Sequence, residues 1–420
     1  MVGNRLPCRR PDCRNTILPT TAEETGGLCR PCEQRFARET REAFVRANKR
    51  LVDPFAGVTD PLRILDLLLE PPRDEELVRP VPYSGRVDEL VQSLVLDPSV
   101  DLVGHALSAL DDDAATKAEE LWRWLAAFTS CDLSRLQDAR VARGLLHPGM
   151  GFRGASADCA RRIMEFVPSA PLRLNHALVA LAWIGDATVC DLFASWKSDP
   201  PTWAGLLHIQ PHEYALCAGW QIDESGRRRD LFSRSAFALV PSFNSDAHSP
   251  AEAMRSASGP CRWCNGPMTA LLSIDVRDAR FPAPDWPDTV VTCTTCTCFG
   301  PMFQRVDAHG EAQWHPQNER PMHAPTSPPH ETEPTQRLVL GSARGPLHAA
   351  DQFLPTTFSQ IGGAPCWVQD VAYPRCPECG RTMAFVGQVA GEDVGPVAEG
   401  IYSAHWCATC HVTSTGYQQS

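Results

Sequence analysis

Long apolar runs are missing from this sequence of 420 residues. No stretch reaches the roughly eighteen consecutive apolar residues of a transmembrane helix, and the segment from Met1 to Cys8 lacks the apolar core of a signal peptide. We therefore expect a protein that makes no membrane crossing and works in the cytoplasm. Because that compartment is reducing, the eighteen cysteines should be thiols or metal ligands instead of disulfides.

Positive charge is also scarce. The chain holds 39 Lys and Arg against 50 Asp and Glu, which gives a formal net charge of −11. Residues 1–50 are the exception, because eleven basic and six acidic residues give this segment +5 and leave −16 for the remainder. An acidic body is a poor partner for nucleic acid, so only the N-terminal arm offers phosphate contacts. Nucleic-acid binding through this arm is an alternative function.

Motifs for catalysis are absent too. There is no His-Glu-x-x-His, and no His-x-Glu stands ahead of a Pro-Cys-x-x-Cys. The glycines of Gly341–Gly345 lack the spacing and the terminal Lys-Ser/Thr of a phosphate loop. The sequence thus predicts neither a catalytic residue nor an organic cofactor. An enzyme whose site forms between domains is a second alternative.

Cysteines, in contrast, are abundant and regularly spaced. Twelve of them form three groups, each made of two closely spaced pairs, and two such pairs can complete a sulfur tetrahedron around zinc. We predict about three structural zinc ions per chain. The predicted ligands are Cys8, Cys13, Cys29 and Cys32, then Cys261, Cys264, Cys293 and Cys296, then Cys376, Cys379, Cys407 and Cys410.

Three neighbours of these groups are candidate replacement ligands: Cys298 beside the second group, and His405 and His411 beside the third. A site made of four cysteines leaves no coordination position for water or substrate, so its zinc stabilises a fold. Four bound thiolates carry a charge near −2, which nearby cations would offset. The basic residues near the first group are Arg9, Arg10, Arg14 and Arg30. We prefer the explanation that they offset the thiolate charge over the explanation that they bind nucleic acid.

These patterns predict a multidomain α+β protein. A small N-terminal zinc module precedes an α-helical middle that loosely resembles HEAT repeats, and a duplicated β-rich domain with two zinc ribbons follows. The predicted segments are a zinc module and helix at 1–55, a Pro-rich connector at 56–85, helical hairpins at 86–232, a first β-rich ribbon unit at 233–306, a Pro-rich linker or loop at 307–340, and a second ribbon unit at 341–420.

The helical middle is predicted from apolar spacing. Leu121, Leu125 and Phe128 belong to one apolar helix face. Further along, Gly185 can end a helix in the left-handed conformation and Asp186 can cap the next helix.

The duplication is predicted from an internal offset. The first knuckle of the second cysteine group maps onto that of the third at an offset of 115, and their second knuckles map at 114. A drift of one residue corresponds to a single deletion between the knuckles.

Two segments resemble known bacterial proteins. The phrase Phe358-Ser-Gln-Ile-Gly-Gly-Ala-Pro-Cys-Trp367, followed by Cys376-Pro-Glu-Cys379, resembles the YwqG-like family over about the last 80 residues. That resemblance implies a β-rich, internally duplicated domain whose biochemical role is largely undefined. The segment from Cys13 to Cys29, with Asp53-Pro-Phe-Ala-Gly57 after it, is similar to modules of bacterial proteins thought to act in toxin immunity or other conflict systems.

Taken together, the sequence favours a non-catalytic interaction protein stabilised by zinc. Helical repeats offer extended surfaces and zinc ribbons offer rigid ones, so the expected partner is a protein, of which a toxin is one example.

Overall fold

The computed structural model describes residues 5–70, 75–111, 115–167, 173–242, 249–281, 286–328, 336–395 and 399–419. The chain divides into two compact units, Met1–Gly85 and Arg86–Ser420, and the α+β class is as predicted. Within the described residues, no helix combines the length and the apolar character needed to cross a membrane.

The first unit is built around short elements and one long helix. Its helices are α1 (Pro19–Thr25), α2 (Arg30–Asn48) and α3 (Pro61–Leu69). Its strands are the antiparallel pair β1 (Leu6–Pro7) and β2 (Thr16–Ile17), and the parallel pair β3 (Arg50–Val52) and β4 (Val78–Pro80).

The described part of the segment predicted as a Pro-rich connector, 56–85, has more regular secondary structure than its composition suggested. It contains helix α3, which begins where the Asp60 side chain accepts a hydrogen bond from the Leu62 amide, 3.1 Å away. Pro61 occupies the first turn, where a missing N–H costs nothing. Pro61 therefore starts a helix, and Leu65 and Leu69 are the buried residues of its apolar face.

The second unit begins with helices. They are α4 (Val87–Leu96), α5 (Leu102–Asp111), α6 (Ala115–Phe128), α7 (Ser134–Ala142), α8 (Ala157–Met164), α9 (Leu174–Ile184) and α10 (Ala187–Ser198); a single turn, α11 (Thr294–Thr297), lies between strands. Within the described residues, four 3-10 segments accompany them: Gly149–Phe152, Thr202–Leu206, Pro211–Ala218 and Gly391–Asp393.

Sequence signals at the junction between α9 and α10 are confirmed. Gly185 ends α9 with φ 52° and ψ 29°, in the left-handed region, and the Asp186 side chain accepts a hydrogen bond from the Val189 amide. The predicted apolar face of α6 is buried, including Leu121 and Leu125. The likeness to HEAT repeats stays a prediction.

Strands β5 (Trp220–Ile222) and β6 (Arg228–Asp230) form a small hairpin. The remaining strands form one eleven-stranded sheet in the order β10-β9-β8-β13-β7-β14-β15-β16-β17-β11-β12. These are β7 (Ala236–Pro241), β8 (Ala251–Pro260), β9 (Pro267–Ile274), β10 (Thr289–Thr292), β11 (Met302–Val306), β12 (Ala312–Trp314), β13 (Leu338–Arg344), β14 (Gln360–Gly362), β15 (Ala384–Ala390), β16 (Ile401–Cys407) and β17 (Val412–Gln418).

This sheet differs from the predicted pair of ribbon units at 233–306 and 341–420. Strand β11 belongs to the first of these segments but pairs with β17 of the second, with Met302 opposite Thr415. The Thr292 and Thr415 hydroxyls, 2.7 Å apart, also join strand β10 to strand β17. The predicted linker at 307–340 contributes β12 and the start of β13, so strands from all three segments share one sheet.

Two hairpins inside this sheet nevertheless match residue for residue. In the hairpin β9–β10, Val291 lies opposite Ala270 and Val290 opposite Leu272, with a bulge between. In β15–β16, His405 lies opposite Phe385 and Ala404 opposite Gly387, again with a bulge. These pairs correspond at offsets of 115 and 114, and the residues that the two bulges skip, Leu271 and Val386, are both fully buried. The hairpins therefore share one register and one irregularity.

A buried contact between a carboxylate and an imidazole ties helix α4 to the segment after β13. Asp88 Oδ2 lies 3.2 Å from His348 Nε2, both side chains are nearly inaccessible, and Arg86 also donates to the carboxylate. Burial by itself raises the pKa of Asp88, but its interactions with His348 and Arg86 outweigh that effect and hold the pKa well below its usual range. Burial lowers the pKa of His348, whose Nε2 lies close to the carboxylate without the geometry of a hydrogen bond.

We expect Asp88→Asn to lower the free energy of unfolding by roughly 3 kcal/mol at pH 7, because it removes one partner of a buried pair. A carboxyl group whose pKa is lowered by folding adds stability above its unfolded pKa of about 3.9 and loses that contribution as the pH falls through the folded value. The difference between wild type and variant should therefore shrink below pH 4 in urea denaturation.

The matched control is Asp111→Asn, which removes an exposed ion pair with Arg143 and should cost less than about 1 kcal/mol at every pH. A cost for Asp88→Asn equal to that of the control would show that the buried pair contributes nothing specific.

Candidate metal centres

The first cysteine group joins the β1–β2 hairpin to the start of α2. Cys29 is the residue before the first turn of that helix, and its backbone amide donates to Cys8 Sγ at 3.3 Å. The Asn15 side-chain amide donates to Cys29 Sγ at 3.4 Å, which lowers the pKa of Cys29 to about 6. The positive end of a helix dipole also favours thiolates here. Local structure thus prepares this group for a cation.

The second group lies at the open end of the β9–β10 hairpin. Its four side chains are almost completely inaccessible, and the Gly266 amide donates to Cys264 Sγ at 3.4 Å. Met268 and Met302 pack against the sulfurs, with Trp263 and Trp314 beside them in an edge-to-face pair at 5.1 Å. This group is enclosed by apolar side chains.

The third group occupies the equivalent end of the β15–β16 hairpin. Its first knuckle repeats the backbone hydrogen bonds of the second group: the Cys376 amide donates to Arg381 O at 2.8 Å, as the Cys261 amide donates to Gly266 O at 2.8 Å. The next residue after each knuckle, Gly380 and its equivalent Asn265, has positive φ, 70° and 58°. The third group is more open, because Cys379 is exposed.

The sulfur positions fit a tetrahedral metal ion. In each group the four Sγ atoms lie within 4.8 Å of one another. A zinc–sulfur bond of about 2.3 Å implies sulfur–sulfur edges of about 3.8 Å in a regular tetrahedron. The contacts observed are 3.7 Å for Cys13–Cys29, 3.6 Å for Cys264–Cys293 and 3.7 Å for Cys379–Cys407. All eighteen cysteines are free thiols, so no disulfide competes for these sulfurs.

The candidate replacement ligands lie elsewhere. Cys298 Sγ contacts Thr294 O at 3.2 Å and the Tyr402 hydroxyl at 3.6 Å. His405 is buried against Trp367, and burial lowers its pKa to about 3. His411 is exposed, with its ring 5.7 Å from that of Trp406. None of the three belongs to the cysteine groups that the described residues form.

Four further cysteines lie in the helical region of the second unit. Cys159 is buried at 1% exposure, and burial raises its pKa to about 11. Cys131, Cys190 and Cys217 are only half-buried.

The sequence did not reveal the residues that contact the third group from the segment after the second group. Glu378, between Cys376 and Cys379, accepts hydrogen bonds from Arg305 and lies 3.1 Å from His315 Nε2. Both partners come from the segment that follows the second group, and Phe303 from the same segment packs against the third. The only local signal was a carboxylate inside a knuckle, which gives no hint of a partner 73 residues away.

Fold and site together define an α+β protein with three closed tetracysteine groups. The chain is 36% identical over 428 aligned residues to the uncharacterized protein YpfL of Salmonella typhimurium strain LT2, and the alignment covers all of both chains. The chain belongs to the family of that protein. No protein-family model matches the chain, and no solved structure matches it.

Elemental analysis by mass spectrometry should find three zinc ions per purified chain. Cys264→Ser and Cys376→Ser should each lower the count to two, because loss of a thiolate weakens a site whose binding free energy is on the order of 10–16 kcal/mol. Cys298→Ser should keep three ions, since this sulfur faces Thr294 and Tyr402. A folded wild-type protein without bound metal would contradict the assignment of all three groups.

Proposed function

We propose that this chain is a non-catalytic, cytoplasmic interaction protein whose fold is stabilised by three zinc ions and which binds a protein partner. The observation that carries the proposal is that all four candidate ligand atoms of each group are cysteine sulfurs. A tetrathiolate site leaves no coordination position for substrate, so its metal serves the fold.

Helix α2 supports a docking role for the first unit. Nearly all of its nineteen residues are exposed or half-exposed, and only Cys32 is buried. Phe36 and Phe44 lie on one side of the helix at 61% and 58% exposure, eight residues apart, with Thr40 between them. Aromatic side chains that stand in water on an ordered helix are typical anchors for the groove of a partner protein.

Charge on the same helix argues against the nucleic-acid alternative. Four arginines of the first unit are committed to glutamates, which leaves less positive charge for phosphate contacts. The pairs are Arg10–Glu39, Arg30–Glu24, Arg38–Glu42 and Arg41–Glu76. This pairing supports protein binding over nucleic-acid binding.

The resemblance to YwqG-like proteins and to immunity modules extends this proposal. The matched register of β9–β10 and β15–β16 supports an internal duplication of the kind the resemblance implies. An immunity protein needs a rigid surface that binds one toxin tightly, and zinc-fixed knuckles supply rigidity. We propose a toxin, or another protein of a conflict system, as the partner class.

Photo-crosslinking tests the docking surface directly. A benzophenone amino acid placed at Phe36 or at Phe44, in the organism that encodes the protein, should crosslink one and the same protein. A variant carrying both Phe36→Ser and Phe44→Ser should keep its zinc content, because neither side chain belongs to the apolar cluster around the first cysteine group.

Phe353 provides the matched control, since it is a phenylalanine of equal exposure, 61%, in the second unit. The same crosslinked proteins at positions 36, 44 and 353, or none at 36 and 44, would refute the proposed surface.

A further inference from the structure

A cavity of about 640 Å³ lies in the second unit, beside the third cysteine group. Some of its lining residues come from the segment between Lys197 and Arg229. The others are Arg375, Gly380, Arg381, Thr382, Cys407, Ala408 and Thr409. Its volume falls within the roughly 300–1,000 Å³ of small-molecule sites. The cavity therefore has room for a ligand of nucleotide size.

Five cations line this cavity: Lys197, Arg227, Arg229, Arg375 and Arg381. Among the described residues, none of them forms an ion pair with a carboxylate. Three are held by backbone carbonyls instead. Lys197 Nζ donates to Ile222 O at 2.8 Å, Arg229 Nη2 to Thr382 O at 2.9 Å, and Arg375 Nη1 to Gly380 O at 3.4 Å.

Carbonyl oxygens position a cation without neutralising it. Three carboxylates also line the cavity, Glu213, Asp223 and Glu224, and the first two accept hydrogen bonds from backbone amides. Five cations against these three carboxylates leave a formal charge of +2 in one recess of an acidic chain. His212 adds a buried Nδ1 that has no hydrogen-bond partner in the described structure.

The second cysteine group shows that a zinc ribbon of this kind does not require these arginines. At the offset of 115, Arg375 corresponds to Pro260 and Arg381 to Gly266. The two first knuckles nevertheless make the same backbone hydrogen bonds, and their hairpins share one register. Both groups carry the same thiolate charge when loaded. The second group has its own arginine, Arg262, within its first knuckle, but only at the third group do two arginines beside the first knuckle line a cavity.

We propose that this cavity binds a small organic molecule bearing two or more phosphate groups. Arginine guanidinium groups bind phosphate oxygens in bidentate fashion and stay charged at all physiological pH values. Several of them converging on one recess match a ligand with several negative charges. Apolar lining is limited to side chains such as Leu216 and Ile222, so charge is the main basis of recognition.

Isothermal titration of the zinc-loaded full-length protein with pyrophosphate and with ATP tests this site. At about 50 mM salt, at least one of these probes should bind with a micromolar dissociation constant, and binding should weaken as salt increases. The double variant R375Q/R381Q should weaken binding at least tenfold. The matched control R255Q/R262Q removes two positive charges near the second group, outside the cavity, and should bind as the wild type does.

Zinc content and thermal unfolding of each variant separate ligand binding from a structural role. Retention of three zinc ions by R375Q/R381Q, together with loss of binding, supports the proposal. Loss of one zinc ion from that variant would assign the arginines to the metal site and overturn it. Absence of binding to either probe in the wild type would also overturn it, as would arginine-dependent binding of a single-stranded oligonucleotide without binding of either probe.

Discussion

Four cysteine sulfurs held within 4.8 Å of one another are the constraint on which the architecture of both units depends. Neighbouring thiolates repel each other, and burial with this repulsion raises the pKa of Cys293 to about 12. Without a cation, ionising all four thiols of one group is therefore unfavourable. A divalent metal ion reverses the balance, because it binds thiolates and joins the two knuckles that end each hairpin. A metal ion bound in this way would hold the paired cysteines of each group together.

Local parts of this fold could be predicted from the sequence. The cysteine spacing identifies all three groups, since a knuckle of two cysteines places both sulfurs on one side of a tight turn. The end of α9 at Gly185 and the cap of α10 at Asp186 follow from backbone preferences of single residues. In the phrase that carries the YwqG-like resemblance, Gly362 has φ 66°, and a Cβ there would lie 2.0 Å from Ser235 O. Only glycine fits that position.

Long-range pairing could not be predicted in this way. Strand β11 pairs with β17, more than 100 residues away, although it directly follows the second cysteine group. Its apolar alternation fits any neighbour with a free edge, so the pattern specifies a strand without specifying its partner. Helix α3 was missed for a related reason, because Pro61 favours a turn and the first turn of a helix equally well until Leu65 and Leu69 find a core. The cavity cations were also missed, since they come from three separated segments.

Two hairpins of equal register on one sheet allow a comparison that a single hairpin would not. The features that the two hairpins share are the ones that we expect a metal-bound fold to require. They are the bulge, the backbone hydrogen bonds of the first knuckle, and the cysteines. Whatever differs is free to serve another purpose. The second group is closed by Trp263, Trp314 and two methionines, whereas the third borders an open cavity and exposes Cys379. The first copy thus has the character of a packed core, and the second combines the same scaffold with a charged, accessible recess.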